Sequence, residues 1–275
     1  MQSIAYLGPP GTYSELAAIA FGDDATAYLP LASIPAVVTA VETGAATSGV
    51  LPIENALEGS VTTTLDLLIH ETSLRIAAET VIAIRHHLVA RPGVSLTQIE
   101  VLYGHPQSLG QCRRFVERCL PHVATVASLS NSAAPAEALA DSRPAAAIAP
   151  LRAAELLGAH VLARDIQDRA TNLTRFVAIG AGDSRPTGDD KTSFCFGFDR
   201  GDRPGSLVEA LQVLAQTQIN MTKLESRPAK EVFGQYIFLV DINGHRDDPR
   251  IAAALAQIQA RTGFFKVFGS FPVWR

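Results

Sequence analysis

Apolar positions change rhythm along the chain, and the rhythm predicts most of the elements. Residues 3–7, 48–51, 101–103, 123–126 and 145–149 are short apolar runs of the length that fills a buried strand. Between them, apolar residues recur at helical spacing over 13–21, 33–42, 61–70, 106–119, 133–140 and 151–157. Pro106 stands at a favourable first helical position. Residues 75–89 are β-branched and read as extended. This alternation predicts an α/β fold with a mainly parallel sheet.

The pattern stops near residue 180. GAGDSRPTGDDK, residues 180–191, has no apolar periodicity and reads as a linker. Beyond it, strands over 192–198, 219–225, 236–242 and 264–268 alternate with helices over 204–217 and 249–260. That order, βαββαβ, is the ferredoxin-like plan. The expected organisation is a domain over 1–181, a linker over 182–191 and a small second domain over 192–275.

Three polar loops directly follow predicted strands: GPPGTYSE (8–15), PIENALEGS (52–60) and GHPQSLGQC (104–112). Ligands of open α/β sheets bind outside the carboxyl ends of strands, so the three loops predict a shared site. Thr12 and Glu15 form a capping box, and Ser60 can cap the following helix. Gly8 and Gly11 would let an anion approach free amides at the helix start. There is no GK[ST], so carboxylates are expected rather than a nucleotide. Glu54 either meets a substrate hydroxyl, acts as an acid or holds loop amides. His105 is either an acid or the cap of its helix. A fourth segment, ATNLTRFVAIG (170–180), places Asn172, Thr174 and Arg175 where a strand enters the core.

Composition narrows the classes. The chain has 275 residues, 47% of them hydrophobic, enough for a substantial core. A net charge of -4 speaks against a broad nucleic-acid surface. No apolar run approaches the roughly 20 residues of a membrane span. MQSIAYLGPPG lacks the basic and long apolar regions of a signal peptide. Cys112, Cys119 and Cys195 are odd in number and form no CxxC, which fits a reducing cytoplasm. Cys112 and Cys119, seven apart, are expected on one buried helix face. His86 and His87 are adjacent in an extended run, point to opposite faces and make a poor chelate. No metal or other cofactor is expected.

Taken in order, GPPGTYSELAA, LPIENALEGSV, HPQSLGQC, NLTRF, RPGSL, NMTKLESRP, VDINGH and KVFGSFP resemble the signatures of prephenate dehydratase in its monofunctional form with a C-terminal ACT domain. The resemblance spans almost the whole chain. It implies a two-lobed catalytic domain like a type II periplasmic binding protein, with the active site in the cleft. The substrate would be prephenate, and L-phenylalanine would act as feedback inhibitor at a subunit interface of the ACT domain. A homodimer or homotetramer through that domain is implied.

The resemblance also implies roles for particular residues. Thr174 carries the essential hydroxyl, Arg175 either holds a carboxylate or pairs structurally, and Phe176 packs near the ring. In a regular strand Thr174 and Phe176 share a face and Arg175 points away. Thr12, Tyr13, Ser14, Glu54, Asn55, Ser60, His105, Gln107 and Asn172 are the expected substrate contacts. A mostly neutral pocket suits the chemistry, because fixed positive charge at the departing carboxylate would oppose decarboxylation. Gly205, Ser206, Leu207, Asn220, Glu225, Ser226, Arg227 and Pro228 are the expected effector contacts. Two positions depart from the family pattern: Ala56 replaces a serine, and Ser206 replaces the alanine of Gly-Ala-Leu.

Arogenate dehydratase, which performs the same elimination on an amino acid, is the alternative enzyme. A non-catalytic amino-acid-binding regulator is the alternative of another class. A transcriptional effector-binding protein lacks support, since no basic recognition helix is evident. A fused chorismate mutase is not expected, since the first strand starts at Ser3.

Overall fold

The computed structural model describes residues 2–198, 203–230 and 234–274. Its strands are β1 (Ser3–Leu7), β2 (Ala27–Leu31), β3 (Ser48–Asn55), β4 (Gly59–Ser60), β5 (Arg75–Ala83), β6 (His87–Ala90), β7 (Val101–Gly104), β8 (Ala124–Ala127), β9 (Ala145–Ala149), β10 (His160–Ala163), β11 (Leu173–Gly180), β12 (Asp190–Gly197), β13 (Met221–Pro228), β14 (Tyr236–Asn243) and β15 (Phe264–Pro272). Its helices are α1 (Tyr13–Phe21), α2 (Ile34–Glu42), α3 (Thr62–Asp66), α4 (Pro106–Gln111), α5 (Arg113–Cys119), α6 (Ala134–Ala140), α7 (Leu151–Leu157), α8 (Ser206–Gln216) and α9 (Pro249–Gln259).

Two sheets, not one, make up the larger part. The first runs β2-β1-β3-β11-β5 with β4 attached to β3, and the second runs β10-β6-β9-β7-β8. The chain passes from first to second between β5 and β6 and returns between β10 and β11. The expected mainly parallel sheet is thereby corrected to two mixed ones. β1 pairs in parallel with β2 and β3, and β7 with β8 and β9. β6 is antiparallel to both β9 and β10, and β4 to β3. Strands that enter and leave a lobe without a crossover helix have no means to run parallel to their neighbours.

The expected helix over 106–119 is two helices, broken at Cys112. Asp168 causes the break. Its N–H donates to the Gln111 carbonyl at 2.7 Å, and its carboxylate accepts from the Arg114 N–H at 3.2 Å, so two groups leave the helical ladder. Cys112 and Cys119 still share one core cluster with Leu88 and Leu102, as their spacing predicts. The extended run 75–89 divides at residues 84–86, and the helix over 61–70 continues beyond α3 as one wide turn, Leu67–Glu71.

Compactness divides the chain into one unit of Met1–Val61 with Thr80–Phe176, and another of Thr62–Glu79 with Val177–Arg275. The second unit holds a four-stranded antiparallel sheet, β13-β14-β12-β15, with α8 and α9. This is the βαββαβ plan, its core built on Phe194, Phe196, Val240, Ile251 and Ile258. Thr62–Glu79 is sewn to it: Lys191 pairs with Glu79 at 2.8 Å and Arg227 with Asp66 at 3.0 Å. The segment expected as a linker has fixed contacts: Asp183 pairs with Arg246 at 2.6 Å, His245 meets the Ser184 carbonyl and Asp190 begins β12.

Candidate active site

A cavity of about 270 Å³ opens within the first unit, between its two sheets. Tyr13 of α1, Asn55 at the end of β3, Ser60, Ile84, His86, Gln107 and Gln111 of α4, Asn172, Thr174 and Phe176 are on its wall. Strand alternation on β11 explains the last pair: Thr174 and Phe176 face the cavity, and Arg175 is not on its wall. Among the described residues no lysine or arginine lines it, and Glu58 is the one carboxylate that does.

Five polar side chains of this wall, Asn55, Thr174, Asn172, Gln111 and His86, form one chain of hydrogen bonds. Asn55 starts it. Its Oδ1 accepts from the backbone N–H groups of Leu57 (2.9 Å) and Glu58 (3.0 Å), which turns Nδ2 toward β11. Nδ2 donates to Thr174 Oγ1 at 2.8 Å and to Asn172 Oδ1 at 2.9 Å. Asn172 then has its own Nδ2 free to donate, and it does so to Gln111 Oε1 at 3.0 Å. That same oxygen lies 2.9 Å from His86 Nε2.

Consequences follow for two titratable groups. His86 is buried, and burial lowers its pKa against the raising effect of the Gln111 contact. The Tyr13 hydroxyl donates to the Arg85 carbonyl, and burial pushes its pKa above the ordinary phenol value.

Other expected residues have local partners. Thr12 Oγ1 accepts from the Glu15 N–H and donates to the Leu7 carbonyl, both at 3.2 Å. The two glycine amides of this loop are occupied: Gly11 donates to Glu15 Oε2 at 2.5 Å and Gly8 to the Leu31 carbonyl at 2.8 Å. Gly11 has φ +87°, and a Cβ there would meet Ala153 at 2.9 Å. His105 caps α4, its Nδ1 accepting from the Gln107 N–H at 3.3 Å. Thr12, Ser14 and His105 line a neighbouring hollow that shares Tyr13, Gln107 and Asn131 with the main cavity. Glu54 sits 3.9 Å from Arg175, and neither lines the cavity.

The sequence reading passed over His86, Ser108, Gln111 and Asn131, all on the cavity wall. Gln111 was legible, since it lies one helical turn after Gln107. His86 falls in the break between β5 and β6, where strand alternation gives no signal. Asn131 carried no signal; the hydroxyl of Ser108 donates to it across a loop.

Known proteins place this arrangement. The prephenate dehydratase domain matches residues 4–184, and the ACT domain matches residues 197–260. The chain belongs to the prephenate dehydratase family. The bifunctional chorismate mutase/prephenate dehydratase of Aquifex aeolicus is 42% identical, over 98% of this chain and 73% of its own. The prephenate dehydratase of Arthrobacter aurescens, solved in complex with L-Phe, has a TM-score of 0.88 at 34% identity, covering 98% of this chain and 90% of that one. GqqA, described as a novel type of quorum-quenching acylase, also has a TM-score of 0.88, at 30% identity, covering 99% of this chain and 98% of that one. The two-lobed, periplasmic-binding-protein-like fold of prephenate dehydratase is thus the fold of the first unit, followed by an ACT domain.

Proposed function

We propose that the chain converts prephenate to phenylpyruvate, carbon dioxide and water, and that its ACT domain binds L-phenylalanine as feedback inhibitor. The observation that carries this reading is the bond from Asn55 to Thr174. Thr174 Oγ1 accepts there, so its one proton is left for a ligand in the cavity. An amide does not take up that proton, so Thr174 is set up as a donor and not as a nucleophile. This favours elimination over the acyl-enzyme chemistry that the acylase relative's description brings to mind.

The electron flow suits the wall. The ring carboxylate leaves as carbon dioxide, its electrons aromatise the ring, and the C–O bond of the ring hydroxyl breaks, the departing hydroxide taking one proton from solvent to become water. Negative charge grows on the departing oxygen, where the Thr174 O–H stabilises it more in the transition state than in the ground state. Phe176 offers an apolar face to the ring. Neutral groups such as Ser60 and Gln107 hold carboxylates without fixing the departing one as an anion. Arg175, beside Glu54, supports β11 rather than the substrate.

For the effector, Gly205 caps α8 with φ +97° and leaves the amides of an 11-residue helix as an anion seat beside Ser206 and Leu207. Asn220, Glu225, Ser226, Arg227 and Pro228 lie on or next to β13, an edge strand of its sheet. An open edge supports pairing with a second copy, hence a homodimer or homotetramer. A cytoplasmic location completes the reading; among the described residues no helix is long and apolar enough to cross a membrane.

The test is incubation of the purified protein with prephenate or arogenate, with and without L-phenylalanine. Phenylpyruvate from prephenate, suppressed by L-phenylalanine, is the expected outcome. Turnover of arogenate alone moves the reading to the amino-acid substrate, and turnover of neither overturns it.

A further inference from the structure

We propose that His86 is a positioning residue for this elimination: it holds the Gln111 amide and, through Asn172 and Asn55, the hydroxyl of Thr174. The inference rests on the reading of the cavity as a prephenate site.

The hydrogen-bond chain has a fixed end at Asn55. Two backbone amides, those of Leu57 and Glu58, decide which side of Asn55 is oxygen. Each later side chain inherits its orientation from the one before. Asn172 turns its oxygen to Asn55 and its nitrogen to Gln111. Gln111 therefore presents Oε1 to Asn172, and this oxygen is also the atom beside His86 Nε2. An amide oxygen donates nothing, so Nε2 carries the proton. His86 thus closes the chain as a donor, and its Nδ1 is left as a buried lone pair with no hydrogen-bond partner.

Placement makes the residue stiff. The His86 N–H donates to Gln167 Oε1 at 2.9 Å, and its carbonyl accepts from the Ile166 N–H at 2.9 Å. His86 lies where the chain crosses from the first sheet to the second, and Gln111 ends α4 beside the second sheet. Asn55, Asn172 and Thr174 belong to the first sheet or its entry. The chain of bonds therefore bridges both lobes of the first unit. Without His86, Gln111 Oε1 keeps a single partner and its amide is free to rotate. Asn172 then loses the acceptor that fixes it, and the Asn55 donor is shared differently between Asn172 and Thr174.

The decisive experiment compares His86→Leu, which removes the donor, with His86→Gln, whose side-chain nitrogen reaches the place of Nε2. Steady-state turnover of prephenate is measured for both and for the unaltered protein. His86→Leu is expected to lose kcat about 10- to 100-fold with KM nearly unchanged, the scale of a misplaced catalytic group. His86→Gln is expected to recover most of that loss. Equal losses in both folded variants, a loss confined to KM, or no loss in either overturns the proposal. Nitrogen NMR of the unaltered protein gives a readout independent of folding in the variants. Protonated Nε2 with bare Nδ1 is expected, and the opposite tautomer overturns the proposal. If the unaltered protein fails to turn over prephenate, the functional reading falls, while the tautomer still decides whether the chain of bonds runs as described.

Discussion

Around the cavity of the first unit, buried polar side chains are met by neutral amides: Asn55, Asn172 and Gln111 satisfy one another, His86 and Thr174. In the second unit, Thr192 and Ser270 share a hydroxyl bond, but the buried ionisable side chains are met by charge or by carbonyls. Lys191 pairs with Glu79 at 2.8 Å, and Asp66 takes both Arg227 and Lys230. Lys266 donates to the carbonyls of Ile69 and Thr72, with burial lowering its pKa. Both solutions satisfy desolvated groups, but they suit different tasks. A neutral network orients a hydroxyl without adding a field that would hold a departing carboxylate. Ion pairs fasten one backbone segment to another where no bond is made or broken, and lose heavily when one partner is removed.

The comparison predicts where activity and stability separate. Thr174→Val keeps shape and removes the hydroxyl. It should lower kcat about 10²- to 10³-fold, the cost of losing one preorganised donor, with the urea midpoint nearly unchanged. Lys191→Met leaves Glu79 as a buried carboxylate stripped of its cation. It should lower unfolding stability by about 3 kcal/mol in urea titrations while kcat per folded molecule holds. A large drop in kcat there would break the division of labour. Asn172→Asp adds a second carboxylate to a wall whose one charged side chain, among the described residues, is Glu58. It should raise KM for the dianionic substrate about tenfold, since like charges near 4 Å repel by roughly 1–4 kcal/mol.

The smallest effect is the response to pH. Burial lowers the pKa of both His86 and His87, so the unfolded chain takes up protons first as pH falls. Stability should be complete above about pH 6.5, the unfolded value, and decline below it until the folded histidines protonate too. Urea midpoints of the unaltered protein should fall across that range, and His86→Gln should flatten the slope. A midpoint that rises on acidification would contradict the direction.

How much of this was legible varies by kind of feature. The apolar runs at 3–7 and 145–149 became β1 and β9 with those bounds, because a buried strand needs continuous apolar side chains and little else. β2 went unread: AYLPL carries Pro30 and is largely exposed, as suits the edge of its sheet. β10 at 160–163 went unread for a similar reason, being a short edge strand. Thr174, Phe176, Asn55 and Asn172 were identified and share one cavity. Their neighbours His86 and Asn131 were not, since a lone polar residue shows no period.

Local pattern by itself determined most of the buried strands and longer helices, the second unit's βαββαβ plan and the three polar loops behind strands, because side-chain periodicity and turn chemistry act within a few residues. Tertiary structure decided the rest. Asp168 breaks a helix more than 50 residues earlier, Glu15 and Ala153 claim Gly11 for the fold, and Asp183 and Ser184 clamp a segment that composition left loose. The donor and acceptor ends of Asn55, Asn172 and Gln111 were settled only by one another. A hydrogen bond has direction, and direction is fixed by partners that folding alone brings within 3 Å.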